Sequence, residues 1–166
     1  MKKLNFGCGK KRKKRKDWIN ADIFQGENVD KRFDFNQFPY PFKPNTFNYI
    51  YSHCVLEHLD DLRKVLEELW RISENNAIIE IIVPYYNHTC AFNEPDHKHW
   101  FNEKTFYSLV GYSDTPSNLI NKFEIISQEI NAKKGLRLIP TSFMLKLSHF
   151  IPNLIISIKV KIRVIK

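Results

Sequence analysis

Two glycines one residue apart, Gly7 and Gly9, follow the short run "KKLNF". A strand that runs into Gly-x-Gly presents bare main chain to a ligand, because no Cβ stands in the way. The chain holds only five glycines, so the pair is a concentrated signal. A dinucleotide fingerprint would need a third glycine where Arg12 stands, which disfavours a pyrophosphate ligand. No Gly-x-x-x-x-Gly-Lys-Ser/Thr occurs, which excludes a phosphate loop of that type. Thirteen residues past Gly9, Asp22 falls near the end of "WINADI". A carboxylate there either accepts from both hydroxyls of a ribose or caps a turn. With the glycine turn, the first reading suits a ligand that has a ribose and no pyrophosphate.

These residues need elements to hold them. "KKLNF" (2–6), "WINADI" (18–23), "KRFDF" (31–35) and "FNYIYSH" (47–53) read as strands. "LDDLRKVLEELWRI" (59–72) places Leu59, Leu62, Val65, Leu66, Leu69 and Trp70 at spacings of three and four, which predicts an amphipathic helix. "AIIEIIVP" (77–84) is a continuous apolar run stopped by proline, as expected of a strand covered on both faces. A helix over 102–112, a strand over 122–130, a helix around Ser142–His149 and a last strand "ISIKVKIRV" follow. Strands alternating with helices predict an α/β fold with a mostly parallel sheet. In such sheets ligands bind beyond the carboxyl ends of the strands. Those ends carry Gly7–Gly9, Asp22, Asp34, Ser52–His53 and Pro84–Tyr86. The length suits a single domain over 1–166.

In order and spacing, "LNFGCG…WINADI…DFNQFPYPFKPNTFNYIYSHCVLEHL…VLEELWRISENNAIIEIIVP" resembles the class I S-adenosylmethionine-dependent methyltransferases, methyltransferase type-11-like, over about residues 3–112. The resemblance implies a Rossmann-like, mostly parallel sheet with a late antiparallel strand. It implies methyl transfer from S-adenosyl-L-methionine to a small-molecule acceptor. Gly7, Cys8 and Gly9, with Phe6 before them, would pass under the methionine part of the cofactor. Asp22 would hold the ribose and Ile23 would pack on adenine. Asp34 would accept from the adenine amino group, with Phe35 beside it, and Ser52 and His53 would lie near the sulfonium. "VLEHL" would begin the helix after the fourth strand. The segment from Gly9 to Asp22 is short for a full helix at 1.5 Å per residue, so the first helix is expected to be shortened or absent. Asn75-Asn76 stands where the family usually has Gly-Gly, and asparagine can still adopt the left-handed conformation.

The acceptor region implied by the same likeness is "PYYNHTCAFNEPDHKHWFNEKTF" (84–106). His97 is the candidate general base or substrate hydrogen-bond partner; alternatively His97 and Asp96 merely orient the loop. His99 and Tyr85 are further substrate candidates. His58 in "LEHL" reads as a structural residue at a helix start, and Cys8 and Cys54 as small packing residues beside strands. His88, Cys90, His97 and His99 hold enough nitrogen and sulfur for zinc, but His-x-Cys-x6-His-x-His matches no ligand spacing. A lid loop without metal is the expectation.

Charge is segregated. Residues 1–16 carry nine Lys/Arg and no acid, 17–132 carry all 18 acids with nine Lys/Arg, and 133–166 carry eight Lys/Arg and no acid, for a net +8. The run "KKRKKRK" (10–16) is a solvated loop or a site for an anionic substrate or surface; without interleaved aromatics, nucleic-acid binding is disfavoured. In "ISIKVKIRV" the basic residues share one strand face, which must meet acids, water or an anionic partner. Three cysteines without a Cys-x-x-Cys spacing suggest a reducing, cytoplasmic setting. No 18-residue apolar run occurs and no signal peptide is expected. The rival function is a non-catalytic module on the same fold, binding S-adenosylmethionine, another anion or RNA.

Overall fold

A computed structural model describes residues 2–9, 15–111, 119, 121–133, 135 and 139–166. Seven strands form one sheet: β1 (Lys3–Phe6), β2 (Ile19–Asp22), β3 (Lys31–Arg32), β4 (Phe47–His53), β5 (Ser73–Pro84), β6 (Phe123–Ala132) and β7 (Ile155–Val164). Their spatial order is β3-β2-β1-β4-β5-β7-β6. The first five strands in that order are parallel, and β7 lies antiparallel between β5 and β6. This is the mostly parallel sheet that the alternating elements predict, with the late antiparallel strand that the family resemblance implies. The order reverses at β1 and β4, which places a crevice beyond their carboxyl ends. Between β1 and β2, residues 15–18 hold no helix, and residues 10–14, most of the basic run, lie outside the described residues.

Helix α1 (Leu62–Ile72) buries Leu62, Val65, Leu66, Leu69 and Ile72. It begins later than 59 because Leu59 is extended and the Asp61 carboxylate caps the amides of Arg63 and Lys64 at 3.1 Å. "VLEHL" therefore does not begin a helix: Leu56–His58 form one 3-10 turn set apart from α1. Helix α2 (Thr105–Leu109) is shorter than expected, since the Asn102 side chain accepts the amides of Lys104 and Thr105 and Gly111 turns left-handed at φ 99°. Helix α3 spans Thr141–Ser148. β3 has only two residues because Phe33, Phe35, Tyr40 and Phe42 leave the sheet edge to pack on one another. Asn76 takes φ 63°, filling the left-handed role expected of that position.

On β5, Ile79, Ile81 and Val83 are fully buried while Ile78, Glu80 and Ile82 alternate with them half-exposed. The half-exposed face is where the basic residues of β7 emerge, and acids on the flanking strands meet them. Lys159 pairs with Glu129 at 2.6 Å, Arg163 with Glu124 at 2.7 Å, and Lys161 with Glu80 at 3.5 Å. The basic face of the last strand is thus matched by the acidic middle of the chain.

Two devices position the crevice. The amides of Gly7 and Cys8 both donate to the Ala21 carbonyl, at 3.0 and 2.9 Å, closing the turn after β1 onto β2. Gly7 has φ 81°, and a Cβ there would stand 2.1 Å from Val55 Cγ2. Val55 is brought under the turn because Cys54, just past β4, takes φ 55°, an unusual conformation for a residue with a side chain. The second device is a clamp from α1. Arg71 binds both oxygens of Glu68 at 2.7 Å and the carbonyls of Phe42 and Tyr40 at 2.9 Å, while the Tyr40 amide donates to Glu68 at 2.6 Å. The clamp holds the segment that carries Asp34 and Phe35. Burial would push the Glu68 carboxyl up, but the Arg71 guanidinium and the Tyr40 amide outweigh it and hold it below its ordinary 4.5.

Arg71→Ala leaves a carboxylate and two carbonyls without that partner and is expected to cost about 2 kcal/mol, read from urea unfolding at neutral pH. Because Glu68 is depressed in the fold, its part of the clamp is complete above the ordinary carboxylate range and is lost as pH falls through its lowered value; the gap between wild type and variant should narrow in acid to what the two carbonyl bonds contribute. Gly7→Ala is expected to cost more than the ~1–2 kcal/mol of a left-handed φ alone. Adding Val55→Ala should recover the steric part and leave the φ part.

Candidate functional site

Beyond the carboxyl ends of β1, β2 and β4 lies a cavity of about 640 Å³, within the range of small-molecule sites. Gly7, Gly9, Asp22, Ile23, Asp34, Phe35 and His53 line it, and all seven were singled out from the sequence. Phe24, Asn36, Cys54, Val55, His58, Leu59 and Asp96 complete the wall.

Asp22 is 5% exposed, yet it reaches this wall. The Gly9 amide donates to one of its oxygens at 2.7 Å and the Phe24 amide to the other at 3.1 Å. The carboxylate therefore caps its own turn, one of the two readings of the sequence, and also reaches the cavity wall. Such a group has about four lone-pair sites, so two backbone donors leave capacity for more. Beside it Ile23 and Phe24 are 44% and 51% exposed, an apolar surface suited to one side of a flat ring. Asp34 accepts the Asn36 amide at 2.9 Å, and Asn36 in turn accepts the Asp60 amide at 2.8 Å, linking this wall to the start of α1.

Three of the ten expected cofactor residues do not line the cavity. Phe6 is fully buried and stacks on Phe35, ring centroids 3.9 Å apart, so it supports the wall from behind. Cys8 is buried with its thiol toward the Asn28 carbonyl at 3.8 Å. Ser52 pairs with Phe6 across the β1–β4 ladder, and its hydroxyl is sealed from solvent without a hydrogen-bond partner.

Of the substrate candidates, none lines the cavity directly. The Tyr85 ring is fully buried, its hydroxyl donates to Glu103 at 3.2 Å, and burial pushes it up to about 12. His99 Nε2 bonds the Leu59 carbonyl at 2.8 Å, which ties the loop to the 3-10 turn. His97 lies one layer back: its ring meets the His58 ring edge-on at 4.6 Å, and His58 does line the cavity. His58 Nδ1 bonds Asp96 at 3.0 Å. His58, read from sequence as structural, is the histidine that faces the site. Only the return of the 94–99 loop onto the 3-10 turn reveals this; the amides of Lys98 and His99 both donate to the Glu57 carbonyl.

Glu57 is 1% exposed and neither carboxylate oxygen has a well-formed hydrogen bond. Burial pushes its carboxyl above the ordinary 4.5, opposed in part by its own amide, by His58 and His97 and by the Cys54 thiol. The Glu57, His58 and His97 donor atoms all lie within 4.8 Å of one another. The grouping of His88, Cys90, His97 and His99 weighed from sequence is not what the fold assembles: His88 Nδ1 is spent on the Cys90 amide at 3.1 Å.

Among the described residues, no helix is long and apolar enough to cross a membrane. Residues 8–81 match the family model "Methyltransferase domain". No curated protein matches the chain in sequence. Among solved structures, an S-adenosylmethionine-dependent methyltransferase from Archaeoglobus fulgidus is similar over 98% of this chain and 85% of its own, with 13% identity and a TM-score of 0.68. One from Mesorhizobium loti is similar over 98% and 90%, with 12% identity and a TM-score of 0.63. The cyclase SpnF is similar over 99% and 75%, with 11% identity and a TM-score of 0.63, so the fold also carries other chemistry. The chain thus shares the fold of the S-adenosylmethionine-dependent methyltransferases of known structure, and its residues 8–81 match the methyltransferase-domain model.

Proposed function

We propose that the cavity binds S-adenosyl-L-methionine and that the protein transfers its methyl group to a small-molecule acceptor. The observation that carries the reading is the Asp22 carboxylate, buried yet in the cavity wall, beside a glycine turn and an exposed apolar pair. The residues fit the cofactor on three counts. Gly7 and Gly9 offer main chain without Cβ, Asp22 offers acceptor sites for a ribose, and Ile23 and Phe24 offer a face for adenine, with Asp34 and Phe35 on the same wall. When bound, S-adenosylmethionine supplies an electrophilic methyl group on a sulfonium.

The chain's part is then mostly orientation and exclusion of water. The clamp of Arg71 and Glu68 holds the Asp34–Phe35 wall, and Val55 packs under the glycine turn. The acceptor end is assigned to His53, His58 and Asp96, polar groups of the wall that do not bond Asp22. A hydroxyl acceptor must lose a proton, and His58 with His97 behind it is the pair placed to take it. Tyr85 and His99 serve as supports of the loop. Phe92 and Trp100 on that loop stack at 6.1 Å and are 64% and 49% exposed, an aromatic surface for an acceptor to meet.

A non-catalytic binding module is the second reading, favoured by the sealed position of Ser52. Calorimetry with the demethylated cofactor tests the shared part. Asp22→Ala should weaken binding about tenfold to a hundredfold, the ~1.5–3 kcal/mol of a hydrogen bond to a charged group. Unchanged affinity removes the ribose assignment, and binding without transfer to any acceptor supports the module.

A further inference from the structure

The cluster of Glu57, His58 and His97 has the chemistry of a metal site, and its surroundings are those of one. Glu57 comes from the 3-10 turn after β4 together with His58, and His97 comes from the loop after β5. Their donor atoms lie within 4.8 Å of one another. A tetrahedral ion with ligands at about 2.0–2.1 Å needs donors about 3.3 Å apart, so the three side chains must draw together when the ion binds.

The hydrogen bonds fix which nitrogen each histidine can offer. His97 Nδ1 lies 2.9 Å from the Ala91 carbonyl, which can only accept, so Nδ1 carries the hydrogen and Nε2 keeps its lone pair. His58 Nδ1 lies 3.0 Å from the Asp96 carboxylate, with the same consequence. A carbonyl behind one imidazole and a carboxylate behind the other are the usual outer partners of metal-bound histidine. The third donor is the Glu57 carboxylate, sealed from solvent at 1% exposure, with its own amide, the Cys54 thiol and the two histidines as its nearest polar groups. A buried carboxylate in that condition is costly unless it meets a proton or a cation.

We propose that Glu57, His58 and His97 bind one divalent transition-metal ion of the zinc class beside the methyl-transfer cavity. Two imidazoles and one carboxylate are one ligand short of a closed tetrahedral site, so the ion keeps a position for water or an oxygen atom of the acceptor. His58 lines the cavity, which puts that position at its acceptor end. With the ion in place, the two imidazoles are ligands and no longer proton acceptors; the metal acidifies the oxygen it holds. Metal binding itself does not depend on the cofactor assignment, and its test needs no cofactor.

The chain of residues 1–166 is stripped with a chelator and titrated with zinc by calorimetry, and with cobalt by its visible d–d spectrum. One equivalent should bind, with the intense bands of four-coordinate cobalt. Glu57→Gln, which keeps the side-chain shape, and His97→Ala should each weaken binding at least tenfold, and Asp96→Asn about tenfold through the outer hydrogen bond. Thermal unfolding of each variant confirms that it is folded. Absence of saturable binding of one equivalent to the wild type overturns the proposal. So does binding that Glu57→Gln and Asp96→Asn leave unchanged, since the ion then sits elsewhere.

Discussion

The Gly9 amide donating to Asp22 at 2.7 Å is the contact on which the crevice depends. It joins the turn after β1 to the end of β2, beside the two amides that share the Ala21 carbonyl. A loop held at both of its glycines cannot collapse into the space beyond the sheet. The same carboxylate also fixes the Phe24 amide, so one acidic side chain sets the course of two chain segments. Its burial has an energetic cost, offset by these charge-assisted hydrogen bonds.

Around that contact the molecule uses few elements. Among the described residues one long helix, α1, packs its apolar stripe on the sheet and lends its polar flank to the 34–42 segment through Arg71 and Glu68. The opposite sheet face is not sealed by a comparable helix among the described residues; half-exposed aromatics and ion pairs cover it. Arg15 lies over Trp18 at 4.7 Å and over Tyr51 at 3.8 Å, and Tyr49 donates to Glu80 at 2.6 Å. Cross-strand pairs between β7 and its neighbours complete that face. Each such exposed pair contributes little to stability, but together they let a basic strand lie within the sheet without an anionic partner.

The acceptor end follows from a different constraint. Loop 94–99 is held on the 3-10 turn by two amides on the Glu57 carbonyl and by His99 on the Leu59 carbonyl. That return brings His97 to His58 and closes solvent away from the Glu57 carboxylate. The polar groups of the cluster are thus gathered at the edge of the cavity.

The parallel sheet, the amphipathic helix, the glycine turn and the acid after β2 were legible in the residues, because period, glycine geometry and turn chemistry are local properties. Gly7, Gly9, Asp22, Asp34 and His53, picked at strand ends, line the cavity for the same reason, since in a parallel sheet the end of a strand is known once the strand is; Ile23 and Phe35 came from the family resemblance. Local reading failed where long-range contacts decide. Phe33 and Phe35 leave β3 for an aromatic cluster, and "VLEHL" becomes a 3-10 turn because Leu59 is extended and Asp61 caps a later start. Phe6 and Ser52 stand at strand ends but face inward, since a two-residue alternation does not say which face is covered. Glu57, His58 and His97 lie some forty residues apart in part, and no spacing rule joins them. Only the tertiary structure could do so, because their meeting depends on backbone hydrogen bonds between a turn and a distant loop.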